Sequence, residues 1–291
     1  MSQLSTGMTL ADVLDAVARE LAGDGVPPAR ADARDLIAAV LGKPRFWPTA
    51  HPSVTLEEAV IHSVGEAARR LKAGMPFQYA VGTAAFRHLT LRVDQRVLIP
   101  RPETELIVDL TLGLADGGGI VADVGTGSGA IALALASEGR FEQVIATDVS
   151  EDALAVARSN LEAIPADRRG LVEFRTGDLL APLRGEGLRA VVSNPPYISP
   201  SESGDLPAGV RDWEPHLALF SAEDGMAAIR AIVRDAPLVL ASGGVLVLEV
   251  DARRAGLARA WAATDTRWRD VDIKLDLTGR ERFLVARRQE W

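Results

Sequence analysis

The chain has 291 residues, 47% hydrophobic and 25% charged, enough for one large domain and a small one. Its net charge of -8 argues against a broad phosphate-binding surface, which needs clustered Lys and Arg, so direct nucleic-acid binding is not expected. With no cysteine and four scattered histidines, His51, His62, His88 and His216, it offers no disulfide framework, thiolate site or metal-ligand spacing.

The first twenty residues carry Asp12, Asp15 and Glu20, and neither a signal peptide nor a membrane span is visible, so a cytoplasmic location is expected. Residues 1–75 read as helical. Leu10, Val13, Leu14, Val17 and Leu21 recur at helical spacing, with Thr9 as N-cap. Pro27 and Pro28 open a second helix through Val40 and Leu41, stopped by Gly42. A third apolar-periodic stretch runs from Leu56 to Leu71, and the Pro-bearing segment 43–52 reads as a loop. These make a small helical bundle, either a grip for a partner or a cap on the larger domain. Residues 76–100 change character: Leu89, Leu91 and Val93 alternate, Asp94-Gln95 marks a turn, and Val97-Leu98-Ile99 follows. That pattern predicts a linking β-hairpin.

The larger domain is expected over 101–291. Pro100-Arg101-Pro102-Glu103-Thr104-Glu105 forms a stiff loop, with Glu103 and Glu105 in the first turn of a helix through Leu114, where carboxylates suit the dipole. A functional reading lays this loop over the charged end of a cofactor. Strands are predicted at 120–124, 143–147, 171–175, 189–193, 243–250, 270–275 and 282–287, and helices at 129–138, 151–162, 223–240 and 254–263. This alternation predicts an α/β fold with a seven-stranded, mostly parallel, Rossmann-like sheet. The last two strands, joined by a turn at Thr278-Gly279, add as an antiparallel hairpin at one edge.

The first of these strands ends in Asp123-Val124 and runs into Gly125-Thr126-Gly127-Ser128-Gly129, then a helix. Glycines there let the backbone turn tightly and approach a ligand. The second strand ends at Asp148, where a carboxylate meets a ribose diol. The pattern predicts nucleoside binding, with NAD and S-adenosylmethionine both open. Asp123 favours the latter, because a carboxylate can face a cationic methionine end and would repel a pyrophosphate. Asp178, after the third strand, can accept from an adenine amino group.

The fourth strand ends in Val192-Ser193-Asn194-Pro195-Pro196-Tyr197. Two prolines send the chain out of the sheet in one stiff direction. The Asn194 side-chain oxygen and the Pro195 carbonyl can accept both hydrogens of a planar NH2 group, and Tyr197 can stack on it. Residues 198–222 read as an irregular lid or substrate wall, with Trp213 a candidate anchor.

The glycine loop, Asp148, Gly177-Asp178 and Asn194 to Tyr197 resemble a class I S-adenosylmethionine-dependent methyltransferase acting on nitrogen. Val97 to Glu105, Trp213-Glu214-Pro215 with Asp224-Gly225, and the helical front end narrow the resemblance to the release-factor glutamine methyltransferases, the PrmC/HemK family. It covers nearly the whole chain. It implies the class I methyltransferase fold, S-adenosylmethionine as methyl donor with S-adenosylhomocysteine as product, and a peptide-chain release factor as partner, with the chain a monomer. The acceptor would be the glutamine amide of a Gly-Gly-Gln loop, docked with help from residues 1–75. Asp123, Gly125, Thr126, Gly127, Ser128, Gly129, Asp148, Asp178, Leu179 and Asn194 would hold the cofactor. Asn194, Pro195, Pro196 and Tyr197 would hold the glutamine, with Asn194, Pro195 and Tyr197 catalytic. Two stretches depart from the family pattern: Phe86-Arg87-His88, where an aromatic and then Gly usually follow Phe, and Glu249-Val250-Asp251, where an acid-then-Gly pair is usual. The rivals are adenine-amino methylation of DNA or RNA, an NAD-dependent dehydrogenase, and a non-catalytic partner of a methyltransferase.

Overall fold

The first helix, Leu10–Leu21, starts where its sequence signals say. The Thr9 hydroxyl accepts from the Asp12 backbone N–H, and the Asp12 carboxylate accepts from the Thr9 N–H in return. The structure, a computed structural model, describes residues 5, 7–22, 30–115 and 117–290. Helices Leu10–Leu21, Arg30–Val40 and Glu58–Lys72 bury their apolar stripes against one another around Leu10, Val13, Leu36, Ile37 and Val64. Pro27 and Pro28, expected to open the second of these, lie outside the described residues. The expected loop 43–52 contains a further short helix, Trp47–Ala50, with Pro48 in its first turn, where the missing N–H is tolerated. Another, Phe77–Val81, follows. Met1–Thr83 together with Pro207–Trp213 make one compact unit, and Ala84–Leu206 with Glu214–Trp291 make a second.

The linking hairpin lies earlier than expected. It pairs β1 (Thr83–Phe86) with β2 (Leu89–Arg92) and turns at Arg87-His88 rather than at Asp94-Gln95. Arg87 takes a left-handed φ of 53°. Its N–H donates to Glu105 Oε1 at 2.9 Å and its guanidinium to Glu138 at 2.6 Å, contacts that hold the unusual turn. Asp94 instead accepts from the Arg96 N–H, closing a local turn. Val97 and Ile99 alternate with Leu98 because they are buried, and they belong to no strand.

The large sheet runs β5-β4-β3-β6-β7-β9-β8. Its strands are β3 (Ile120–Val124), β4 (Gln143–Asp148), β5 (Val172–Thr176), β6 (Leu188–Ser193), β7 (Leu240–Glu249), β8 (Trp268–Leu275) and β9 (Glu281–Arg288). β3 to β7 pair in parallel, while β9 runs antiparallel between β7 and β8. Successive residues alternate between two cores: Val121, Val144, Ala190, Val192, Val245 and Val247 pack on one face, and Ala122, Ile145, Val191, Leu246 and Leu248 on the other. Both faces are covered, which is why these strands read as nearly continuous apolar runs. The strand order reverses between β3 and β6, the position where an open α/β sheet leaves a crevice at its carboxyl edge. The helix expected at 223–240 is shorter, Ala227–Asp235, because Glu223 and Asp224 both adopt φ of 53° ahead of it and Pro237 follows it. Among the described residues, no helix is long and apolar enough to cross a membrane.

Candidate active site

The crevice between the β3 and β6 tips opens into a cavity of about 460 Å3. That volume lies within the ~300–1,000 Å3 typical of small-molecule sites. The glycine loop forms one wall. Gly125 and Gly127 hold φ of 71° and 54°, a left-handed backbone that suits glycine and would strain most side chains. The loop is tied to β4: the Gly125 and Thr126 N–H groups both donate to the Thr147 carbonyl, at 2.9 and 2.8 Å. Asp148 then receives the Gly127 N–H on Oδ2 and the Ser150 N–H on Oδ1, each at 2.9 Å. Burial pushes its carboxyl up from the ordinary range, and the backbone donors oppose that shift. The carboxylate keeps lone-pair capacity beyond these backbone donors for a ligand diol. Exposed Asp178, Leu179 with its left-handed φ of 45°, and half-exposed Val149 line the same part of the cavity. An apolar pair beside an exposed carboxylate suits a flat, amino-bearing ring.

Two members of the expected cofactor set lie elsewhere. Asp123 does not line the cavity and has no exposed surface. Its Oδ2 accepts from the Thr126 hydroxyl at 2.6 Å and from the Ala132 N–H at 3.0 Å, so it braces the glycine loop from below rather than facing a cationic ligand. Burial, together with the nearby Asp148 charge, pushes the Asp123 carboxyl up to about 7. Gly129 is not part of the lining either; a Cβ there would sit 3.2 Å from the Ala157 Cβ, so it allows close helix packing. Buried Asn160 adds an unanticipated brace, donating from Nδ2 to the Ser128 carbonyl at 2.9 Å.

The β6 tip supplies the facing wall. The Ser193 hydroxyl donates to the Val124 carbonyl at 2.6 Å and ties the two strand ends together. Asn194 and Pro196 line the cavity. The Asn194 Nδ2 donates to Thr104 Oγ1 at 3.2 Å, and the Thr104 hydroxyl donates to Glu249 Oε2 at 2.7 Å. Pro195 is buried and Tyr197 is half-buried, and neither lines the cavity. The stiff double-proline turn carries the Tyr197 ring against the core, and its hydroxyl donates to Glu249 Oε1 at 3.3 Å. Stacking by Tyr197 on a planar substrate is therefore not what this arrangement offers. Burial pushes both the Tyr197 phenol and the Glu249 carboxyl up.

The Pro-Arg-Pro-Glu-Thr-Glu loop lines the cavity through Pro100, Arg101 and Thr104. Arg101 Nη2 meets Glu214 Oε1 at 2.5 Å. Glu214, not half-buried Trp213, is the buried side chain of the Trp-Glu-Pro stretch. Residues 198–222 form ordered short turns and helices, and Pro215, Leu217 and Phe220 add an apolar wall. Val149 and Phe220 carry no local motif of their own, and Thr104 and Glu249, although they lie in stretches the sequence singles out, gain a role only from their placement in space.

Comparisons with known proteins agree with this geometry. Residues 104–206 match the family described as "Methyltransferase small domain", and residues 12–82 match "PrmC N-terminal domain". A release factor glutamine methyltransferase of Moorella thermoacetica is 39% identical over 97% of this chain and 100% of its own length. One from Streptomyces coelicolor is 39% identical over 97% of this chain and 98% of its own. A crystal structure of a methyltransferase from Pyrococcus furiosus superposes with a TM-score of 0.51 at 18% identity, covering 71% of this chain and 92% of that one, a likeness of fold.

Proposed function

The chain belongs to the release factor glutamine methyltransferase family, and we propose that it moves a methyl group from S-adenosylmethionine to the glutamine side-chain amide of a Gly-Gly-Gln loop in a peptide-chain release factor. One observation carries this reading: the glycine loop, Asp148 and Asn194 line the same cavity. The residues fit the cofactor. The glycine loop gives close backbone approach, Asp148 has acceptor capacity for a ribose diol, and Val149, Asp178 and Leu179 suit an adenine. When bound, S-adenosylmethionine supplies a methyl group already activated on a sulfonium centre.

The protein's share of the work is positioning. An amide nitrogen is a poor nucleophile because its lone pair is delocalised into the carbonyl. Asn194 Oδ1, on the cavity wall, accepts one of its hydrogens, which returns electron density to nitrogen as positive charge develops, while buried Pro195 supports the turn from behind. A preorganised dipole of this kind is worth a few kcal/mol, by analogy with the roughly 3–4 kcal/mol cost of losing one oxyanion-hole donor. The cavity's only lining carboxylates among the described residues are Asp148 and Asp178, both on the nucleoside side, so the departing proton goes to water. The helical unit would help dock the release factor, and a translation factor as substrate places the enzyme in the cytoplasm.

The test is methyl transfer from labelled S-adenosylmethionine to release factor or to nucleic acid. Label on the release factor glutamine is expected; label on nucleic acid alone would end this reading. Asn194→Ala should lose turnover by at least ~1,000-fold while cofactor affinity, read by calorimetry, stays within about tenfold.

A further inference from the structure

An asparagine amide can present either its oxygen or its nitrogen to a ligand, and the two ends differ little in shape. A site that must accept from an NH2 group needs the oxygen outward. Here the nitrogen is committed: Asn194 Nδ2 donates to Thr104 Oγ1 at 3.2 Å. Thr104 is 4% exposed, and its own proton goes to Glu249 Oε2 at 2.7 Å. A hydroxyl has one proton, so with that proton spent on Glu249 its oxygen can serve Asn194 only as an acceptor. Glu249 is 2% exposed and its other oxygen takes the Tyr197 hydroxyl at 3.3 Å. Among the described residues Asn194 Oδ1 takes no hydrogen bond, and it is not one of the buried polar atoms left without a partner. It is the end of the amide left open while Asn194 lines the cavity.

We propose that Thr104 and Glu249 are positioning residues that lock the Asn194 amide with its oxygen toward the substrate, so that the site selects an NH2-bearing side chain over a carboxylate. The lock joins three distant stretches: the loop before the first catalytic-domain helix, the β6 tip and the β7 tip. Its polarity runs one way. Glu249 sets the direction of the Thr104 hydroxyl, and Thr104 sets the face of the amide. Without the hydroxyl, the amide is free to turn its NH2 outward, where it meets the substrate NH2 donor to donor. This inference rests on the methyl-transfer reading above.

The experiment is steady-state methylation of intact release factor by the full chain, with cofactor affinity from calorimetry and melting temperature measured beside it. Thr104→Val keeps the shape and loses the hydroxyl. A fall in kcat of roughly 10- to 100-fold is expected, with cofactor Kd within about threefold and the melting temperature nearly unmoved. Thr104→Ser restores the hydroxyl and should recover most of the loss. Glu249→Gln can still offer a carbonyl to Thr104 and an NH2 to the Tyr197 oxygen, so it should exceed Glu249→Ala by a similar factor. Because the two residues act in series, Thr104→Val/Glu249→Ala should be no slower than the worse single variant. A Thr104→Val enzyme within twofold of wild-type kcat, or a serine variant as slow as the valine one, would overturn the lock. Multiplicative losses in the double variant would remove Glu249 from it. Failure of wild type to methylate release factor would instead fall on the functional reading, and the same variant series would then be run on whatever substrate takes the label.

Discussion

Asp123 shows how one side chain can match a motif and still do a different job. It sits near the start of the glycine loop, yet it is fully enclosed, with Oδ1 left without a partner among the described residues and Oδ2 holding the Thr126 hydroxyl and the Ala132 N–H. Its carboxyl is pushed up to about 7 by burial. The folded protein therefore binds a proton there between about pH 4 and 7 that the unfolded chain releases. The stability this group contributes is fully present below about pH 4 and is lost as the pH rises through 7. Asp123→Asn has no such titration. Between pH 5 and 8 the wild type should lose stability relative to the variant on the order of 2 kcal/mol, because holding one extra proton across each pH step of 1 is worth about 1.4 kcal/mol. Urea unfolding of both proteins across that range measures it, and parallel pH profiles would show that Asp123 is charged throughout.

Whole segments, rather than single side chains, decide how the β6 tip is held. Gly225 has φ of 85°, and a Cβ there would run into the Tyr197 carbonyl oxygen and come within 2.6 Å of Arg254 Nε. Arg254 in turn donates from Nε to the Asp224 carbonyl at 2.5 Å and from Nη2 to Glu202 at 2.7 Å, joining the turn before helix Ala227–Asp235 to the segment after the double proline. Gly225→Ala should therefore cost about 2–5 kcal/mol, from left-handed strain and overpacking together, and displace the loop that carries Asn194. Chemical denaturation with parallel turnover assays tests this; an alanine variant of ordinary stability and activity would contradict it. The same scale marks what the sequence can reveal. All seven strands of the large sheet are legible: the five parallel ones as short apolar runs bounded by turn residues, and the antiparallel last two by the Thr278-Gly279 turn between them. The hairpin is not, because Val97 and Ile99 are buried outside any strand, and burial alternation alone imitates a strand. The glycine loop, Asp148, Asp178, Asn194 and Pro196 are legible as motifs and do line the cavity. Thr104 and Glu249 sit in stretches the sequence singles out, but their contact spans 145 residues, so their pairing leaves no local pattern. Order in 198–222 is hidden for the same reason: Arg101 reaches Glu214 across 113 residues.

For the molecule as a whole, the division into two compact units sets how ligand binding spreads. Every residue lining the cavity belongs to the second unit, Ala84–Leu206 with Glu214–Trp291. A ligand that binds only the folded form stabilises what it touches by RT ln(1 + [L]/Kd), about 2.7 kcal/mol at one hundred times Kd. For a unit of ~150–250 residues that corresponds to a rise in melting temperature of about 5–11 °C. S-adenosylmethionine at that excess should produce this rise in wild type and a much smaller one in Asp148→Ala at the same concentration, because Asp148 offers the diol its acceptors. Hydrogen exchange then locates the effect. Amides of β3, β4 and β6 should slow by up to two orders of magnitude, while those of helices Leu10–Leu21 and Glu58–Lys72 in the first unit should change little. Equal protection in both sets of helices and strands would mean that the two units open as one, and an undiminished thermal shift in the Asp148 variant would place the nucleoside somewhere other than the β4 tip.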